Sequence, residues 1–156
     1  MNKVFAHRSV APGRVNLIGD HTDYTGGLVL PMAIKMFTSI EFSLQENYVD
    51  LRSESEEGIY RRALSERSDP QTGSSWGRYV DAVLALIDEP QGLTGVIRST
   101  LPIGAGLSSS ASLEVALALA LGFQGDELSL ALLGQRAEHM ATKVPCGIMD
   151  QLCITS

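Results

Sequence analysis

The sequence predicts an α+β layered domain, and three observations carry that prediction. Strand-like patterns come first and helical patterns later, with little of the strict alternation that a doubly wound parallel sheet needs. Of the 156 residues, 44% are hydrophobic and 19% charged, a composition that excludes disordered and fibrous chains and supplies one core. No internal repeat, low-complexity tract or Pro/Gly/Ser-rich linker divides the chain, so a single domain over residues 1–156 is expected.

Each element follows from its local pattern. Residues Phe37–Leu44 alternate, with Ile40, Phe42 and Leu44 on one face, and Tyr48–Arg52 continues after a polar break, which predicts an antiparallel pair. Asp69-Pro70 and Gly73-Ser74-Ser75 mark a loop before a helix over Trp76–Ile87, where Tyr79, Val80, Val83, Leu84 and Ile87 recur at helical spacing. Gly92–Thr100 reads as a strand. Ala111–Leu121 is apolar nearly all round, the mark of a buried helix. Asp126 is placed to cap a helix over Leu128–Met140, and Pro145 and Gly147 end that pattern. The terminal Leu152–Ser156 reads like the beginning of a strand.

Charge and segment lengths exclude several partners. Twelve basic residues against eighteen acidic ones give a net charge of −6, which disfavours nucleic acid and anionic lipid as partners. The longest apolar run, Val115–Leu121, is far short of the ~20 residues of a membrane span. Met1–Val10 lacks the unbroken apolar core of a signal peptide. Cys146 and Cys153 are too few for a disulfide framework, so a reducing, cytoplasmic compartment is expected.

Three segments carry chemistry. In Ala11–Gly27, Arg14, Asp20, His21 and Asp23 crowd together among glycines; they are either donors and acceptors for a polyhydroxylated ligand or polar residues of a plain surface turn. Leu101–Ser112 is a glycine and serine loop between a strand and a helix. It favours a phosphate at the helix N-terminus, with a serine-capped helix after a tight turn as the alternative. It is not a Walker-type P-loop, because no Gly-Lys-Ser/Thr follows. Within Glu138–Gln151, Asp150 is flanked by Ile148, Met149 and Leu152. It is a candidate semi-buried carboxylate with a chemical role, a helix cap or an ion-pair member.

Taken together, Gly13–Asp23, Pro102–Ser112 and Cys146–Gln151, in this order, resemble the signatures of the galactokinase branch of the GHMP kinase family. The serine-rich loop is shared by the wider family, and the run Arg14–Tyr24 resembles galactokinases in particular. The resemblance implies the family's N-terminal domain, of the ribosomal protein S5 domain 2-like fold, and ATP-dependent phosphorylation of D-galactose at its anomeric 1-hydroxyl. By the same resemblance, Asp150 and Arg14 take the catalytic places. Asp20, His21, Asp23 and Gly147 bind the sugar; Gly104, Gly106, Leu107, Ser108, Ser109 and Ser110 cradle ATP; and Ser110 and Glu138 hold Mg2+. Position 20 is Asp where galactokinases usually have Glu, which shortens the reach to the sugar by one methylene. Family members are much longer, and this chain ends six residues after Asp150, so the C-terminal domain is expected to be missing. Self-association, or association with a C-terminal fragment, is expected with it. A galactose and ATP sensor and an inactive remnant are the alternatives. The Ser110-Ala111 pair, which such sensors lack, favours the enzyme.

Overall fold

Alternating residues build a long central strand, and β-branched and aromatic side chains put its middle in the core. This strand, β2 (Leu30–Gln45), buries Thr38, Ile40 and Phe42 on one face. The structure, a computed structural model, describes residues 5–19, 22–66, 70 and 75–156. The remaining strands are β1 (His7–Ile18), β3 (Tyr48–Ser53), β4 (Ile59–Ala63) and β5 (Gly92–Ser99). They form a five-stranded sheet in the order β1-β2-β5-β3-β4, antiparallel throughout except for the parallel β3–β5 pair. The helices are α1 (Gly77–Leu84), α2 (Ser109–Ala120), α3 (Glu127–Thr142) and α4 (Met149–Thr155). The α+β expectation therefore holds.

Helix α2 is apolar nearly all round because most of its surface is covered, with Leu119 left exposed. It lies on β1 and β2, with α1 and α3 packed against it. Val115, Ala116, Leu117, Ala118 and Ala120 are buried there beside Ile40, Val49, Leu51 and Leu93. Buried hydroxyls fix the helix on the sheet. Ser9 Oγ donates to the Ala116 carbonyl at 2.8 Å, and Ser112 Oγ donates to the Ala11 carbonyl at 2.8 Å. Ser112 Oγ also accepts from the Thr38 amide at 3.2 Å, so its hydrogen-bonding capacity is met inside the core. Helix α3 starts where its cap predicts, with the Ser129 amide donating to Asp126 Oδ1 at 2.8 Å.

Three expectations are corrected. Residues 37–44 and 48–52 do not pair with each other: β5 lies between β2 and β3, antiparallel to the first and parallel to the second. The segment Leu152–Ser156 continues helix α4 rather than beginning a strand. The first half of Ala11–Gly27 belongs to β1, and only Asp23–Thr25 forms a short 3-10 turn. β4 has no counterpart in the sequence reading.

Candidate functional site

The site assembles where β1, the loop before α2 and the first turn of α4 meet. The β1–β2 register shifts between Pro12 and Arg14, an irregularity of the kind that re-aims a strand side chain. Arg14 Nε donates to Asp150 Oδ1 at 2.7 Å and Nη2 to Oδ2 at 2.8 Å, a fork-on-fork ion pair. The third guanidinium nitrogen, Nη1, donates to the Gly106 carbonyl at 2.8 Å, and the Arg14 amide donates to the Leu107 carbonyl at 3.2 Å. One arginine thus ties β1 to both the loop and α4. The Asp150 side chain keeps 30% of its surface exposed against 13% for Arg14, so the carboxylate remains reachable.

The loop leaves room for a ligand. Gly104 and Gly106 have φ of 73° and 71°, and a Cβ built on either meets nothing within 4 Å. Ser108 occupies the N-cap of α2 but makes no side-chain cap bond; its hydroxyl donates to Asp150 Oδ2 instead. The plain serine-capped helix is therefore not the structure the chain adopts. The first-turn amides of α2 are left without a side-chain cap, in the favourable field of the helix dipole.

Asp23 reaches the same place from the other side. Its Oδ1 and Oδ2 accept from the Met149 amide at 3.2 and 3.3 Å, at the start of α4. The carboxylate lies over Gly147 so closely that a Cβ there would stand 1.8 Å from Asp23 Oδ2. Asp20 and His21 lie outside the described residues. Arg14, Asp23, Ser110, Glu138, Gly147 and Asp150 line one cavity of about 480 Å³. Among the described residues, the structure thus brings Arg14 and Asp150, the sugar candidates Asp23 and Gly147, and the metal candidates Ser110 and Glu138 to a single cavity, and Arg14 joins the glycine loop to it at Gly106.

Ser110 and Glu138 offer that cavity a hydroxyl and a carboxylate oxygen. Among the described residues no group of three or more His, Cys, Asp or Glu side chains could hold a metal ion. A two-oxygen set of this kind fits Mg2+, which keeps waters and substrate phosphates in its shell.

Two features escaped the sequence reading. A second cavity, of about 250 Å³, opens beside Ser109 and Ser110 and is walled by Trp76, Tyr79, Leu101 and Leu113. Trp76 and Tyr79 read in sequence only as residues around an amphipathic helix. Nothing local announces that they wall a cavity. The second is Glu114, wholly buried in α2 beneath the first cavity and joined to Gln151 Nε2 at 3.3 Å. Burial and then the neighbouring Glu138 push its carboxyl well above the usual carboxylate range. A lone acid inside an apolar run was its signal. Nearby, the loop carrying Gly147 is held by the Cys146 amide donating to His139 Nε2 at 2.7 Å and by Gln135 Nε2 donating to the Cys146 carbonyl at 3.0 Å.

No helix of the described residues is long and apolar enough to cross a membrane. The galactokinase galactose-binding signature matches residues 3–44, and the GHMP kinases N terminal domain matches residues 78–156. A galactokinase of Thermococcus kodakarensis is 42% identical over 156 residues, covering 94% of this chain and 43% of the relative. A galactokinase of Homo sapiens is 41% identical over 154 residues, covering 90% of this chain and 39% of the relative. The crystal structure of Lactococcus lactis galactokinase complexed with galactose superposes with a TM-score of 0.86 at 32% identity, over 97% of this chain and 42% of that one. The chain spans less than half the length of these relatives. With the signature in its first strands and the N-terminal domain match over half of its length, the chain belongs to the GHMP kinase family.

Proposed function

We propose that this chain carries the N-terminal, substrate-binding part of a galactokinase, which transfers the γ-phosphoryl group of ATP to the anomeric hydroxyl of D-galactose. The observation that carries the reading is the Arg14–Asp150 pair in one cavity with Ser110 and Glu138, beside the open glycine loop. The names of the relatives and of the galactose-bound structural neighbour support the same sugar.

In this reading galactose occupies the larger cavity, hydrogen-bonded by Asp20, His21, Asp23 and the backbone at Gly147. The nucleotide phosphates rest on Gly104, Gly106, Leu107, Ser109 and Ser110, against the uncapped start of α2. The base and ribose take the apolar cavity beside Trp76 and Tyr79, which adjoins the loop through Ser109 and Ser110. Ser110 and Glu138 would hold Mg2+, which when bound compensates charge on the phosphates.

As the sugar oxygen attacks phosphorus it loses its proton. A carboxylate is a weak base toward a sugar hydroxyl, so the contribution of Asp150 is a hydrogen bond that strengthens as the proton leaves, with the proton ending on the carboxylate. Arg14 holds that carboxylate in place through two hydrogen bonds and offsets negative charge gathering at the transferring group. The reaction belongs in a reducing cytoplasm, a setting supported by the two free thiols.

A coupled ADP-release assay tests the reading, run on this chain alone and joined to the region that its relatives carry beyond it. D-galactose is expected to be the best of a panel of monosaccharides and N-acetylgalactosamine a poor one, with turnover requiring the joined form. Equal turnover of both sugars would overturn the sugar assignment. Full turnover by these 156 residues alone would overturn the reading of the chain as part of an enzyme.

A further inference from the structure

We propose that Ser108 is a positioning residue that holds Asp150 in its reactive orientation, not a ligand of the nucleotide phosphates; this rests on the kinase reading above. Backbone conformation gives the first reason. Ser108 has φ 56° and ψ 47°, the left-handed region that costs free energy for any residue with a Cβ. Among the described residues only Lys143 shares this state without being glycine. Lys143 sits at the C-terminal end of α3, where a left-handed residue is ordinary. Ser108 sits at a helix N-cap, where extended backbone is the rule and would aim the hydroxyl at the first-turn amides.

The left-handed turn spends the hydroxyl elsewhere. It donates to Asp150 Oδ2, the oxygen that also accepts from Arg14 Nη2. Ser108 is buried while residues 102–106 before it are exposed. Its approach is fixed from behind by the two Arg14 contacts to the Gly106 and Leu107 carbonyls. The same arginine therefore sets both the loop and the carboxylate, and Ser108 closes the triangle between them. With its proton given to Asp150, the hydroxyl is not a donor for phosphate; that work falls to the loop amides and to the serines that follow.

The test separates the two roles by what each changes. In the active kinase, Ser108→Ala and Ser108→Gly are each expected to lower kcat by about tenfold or more, with the KM for ATP and the Kd for ADP within about twofold of the parent. The glycine variant removes the backbone cost together with the hydroxyl, so its loss cannot be put down to strain. On the residual turnover of Asp150→Asn, adding Ser108→Ala is expected to change nothing further, because the two act as one unit. Urea unfolding of this chain reads the contact without activity: Ser108→Ala should destabilise the parent more than it destabilises Asp150→Asn. A raised KM for ATP with kcat retained would make Ser108 a phosphate ligand and overturn the proposal, as would parental kcat in both variants or additive unfolding energies. Near-parental turnover in Asp150→Asn alone would instead strike at the kinase mechanism itself.

Discussion

Asp150 and Glu114 are two carboxylates on either side of Gln151, held in opposite ways. Asp150 faces a cavity and meets the fork of Arg14, with part of its surface open to a ligand. Glu114 is 0% exposed and meets an amide on one oxygen, while its other oxygen, Oε1, lacks a hydrogen-bonding donor and Glu138 stands beside it. One is a partly exposed carboxylate with a cation arranged for it. The other is a buried acid for which keeping its proton is the cheaper state, since burying an unpaired charge costs far more than protonating it. Proximity to a site therefore does not make a carboxylate part of the chemistry; the cation that faces it and the solvent that reaches it do.

The strongest way to break this comparison is at Asp150. Asp150→Asn keeps the shape and removes the charge that Arg14 answers. Turnover is expected to fall ~10²–10⁴-fold while nucleotide affinity stays near the parent's, because the loss falls on the transition state. Steady-state kinetics beside calorimetric ADP titration measures both. A variant within a few-fold of the parent would make Asp150 structural, like Glu114.

Cys146 reports the surroundings of both acids at once. Its thiol is pushed up to about 12, first by burial and then by the charge of Glu138, with Asp150 and Asp23 adding to it. Only the thiolate is a good nucleophile. Alkylation by iodoacetamide at pH 8 is therefore expected to be slower in the folded chain than in urea by about a hundredfold or more. Equal rates would mean that neither burial nor the neighbouring carboxylates hold the thiol protonated in the folded chain.

A smaller effect sits at Gly147. An alanine there places its Cβ on the carboxylate of Asp23, so Asp23 must leave the Met149 amide or the loop must move. Galactose affinity is expected to fall about tenfold with little change for ADP, given the ~1–3 kcal/mol typical of an overpacked site. Calorimetric titration of each ligand checks it, and equal losses for both would put Gly147 in the fold rather than in the sugar pocket.

Much of this fold was legible because its signals are local. The apolar run 111–121 and the Asp126 cap place α2 and α3 to within a few residues, and Gly92–Thr100 gives β5. What failed was non-local. β2 and β3 are neighbours in sequence, yet β5, which comes about forty residues after β3, inserts between them. No pattern within either strand records that. The five residues of Leu152–Ser156 are too few for periodicity to separate helix from strand, and β4 hides in a charge-rich stretch. Arg14 and Asp150 were legible as a pair only through the family resemblance, since 136 positions separate them. Ser108 needed the tertiary structure outright, because it uses its hydroxyl against the habit of its position; Glu114 had a sequence signal as a lone acid in an apolar run, but its burial and its neighbours needed the fold.

Glu114 offers the finest test of the comparison, through the pH dependence of stability. Its carboxyl is raised in the native state, by burial first and by Glu138 second, while in the unfolded chain it returns to the usual carboxylate range. Between those two values the native state binds more protons than the unfolded one, so stability falls as pH rises, by at most about 1.4 kcal/mol per pH unit for a single group. Below the unfolded value the group contributes no slope. Glu114→Gln keeps the size and the contact with Gln151 but carries no titrating proton. Urea unfolding from pH 5 to pH 8 should therefore show a shallower decline in the variant than in the parent, with the two nearest in stability at the acid end. The Gln151 amide and the tight fit of Gly134 against the Gln151 side chain are the same in both proteins, so packing does not produce the difference in slope. Parallel curves would show that Glu114 stays charged in the core, and the contrast with Asp150 would then reduce to exposure alone.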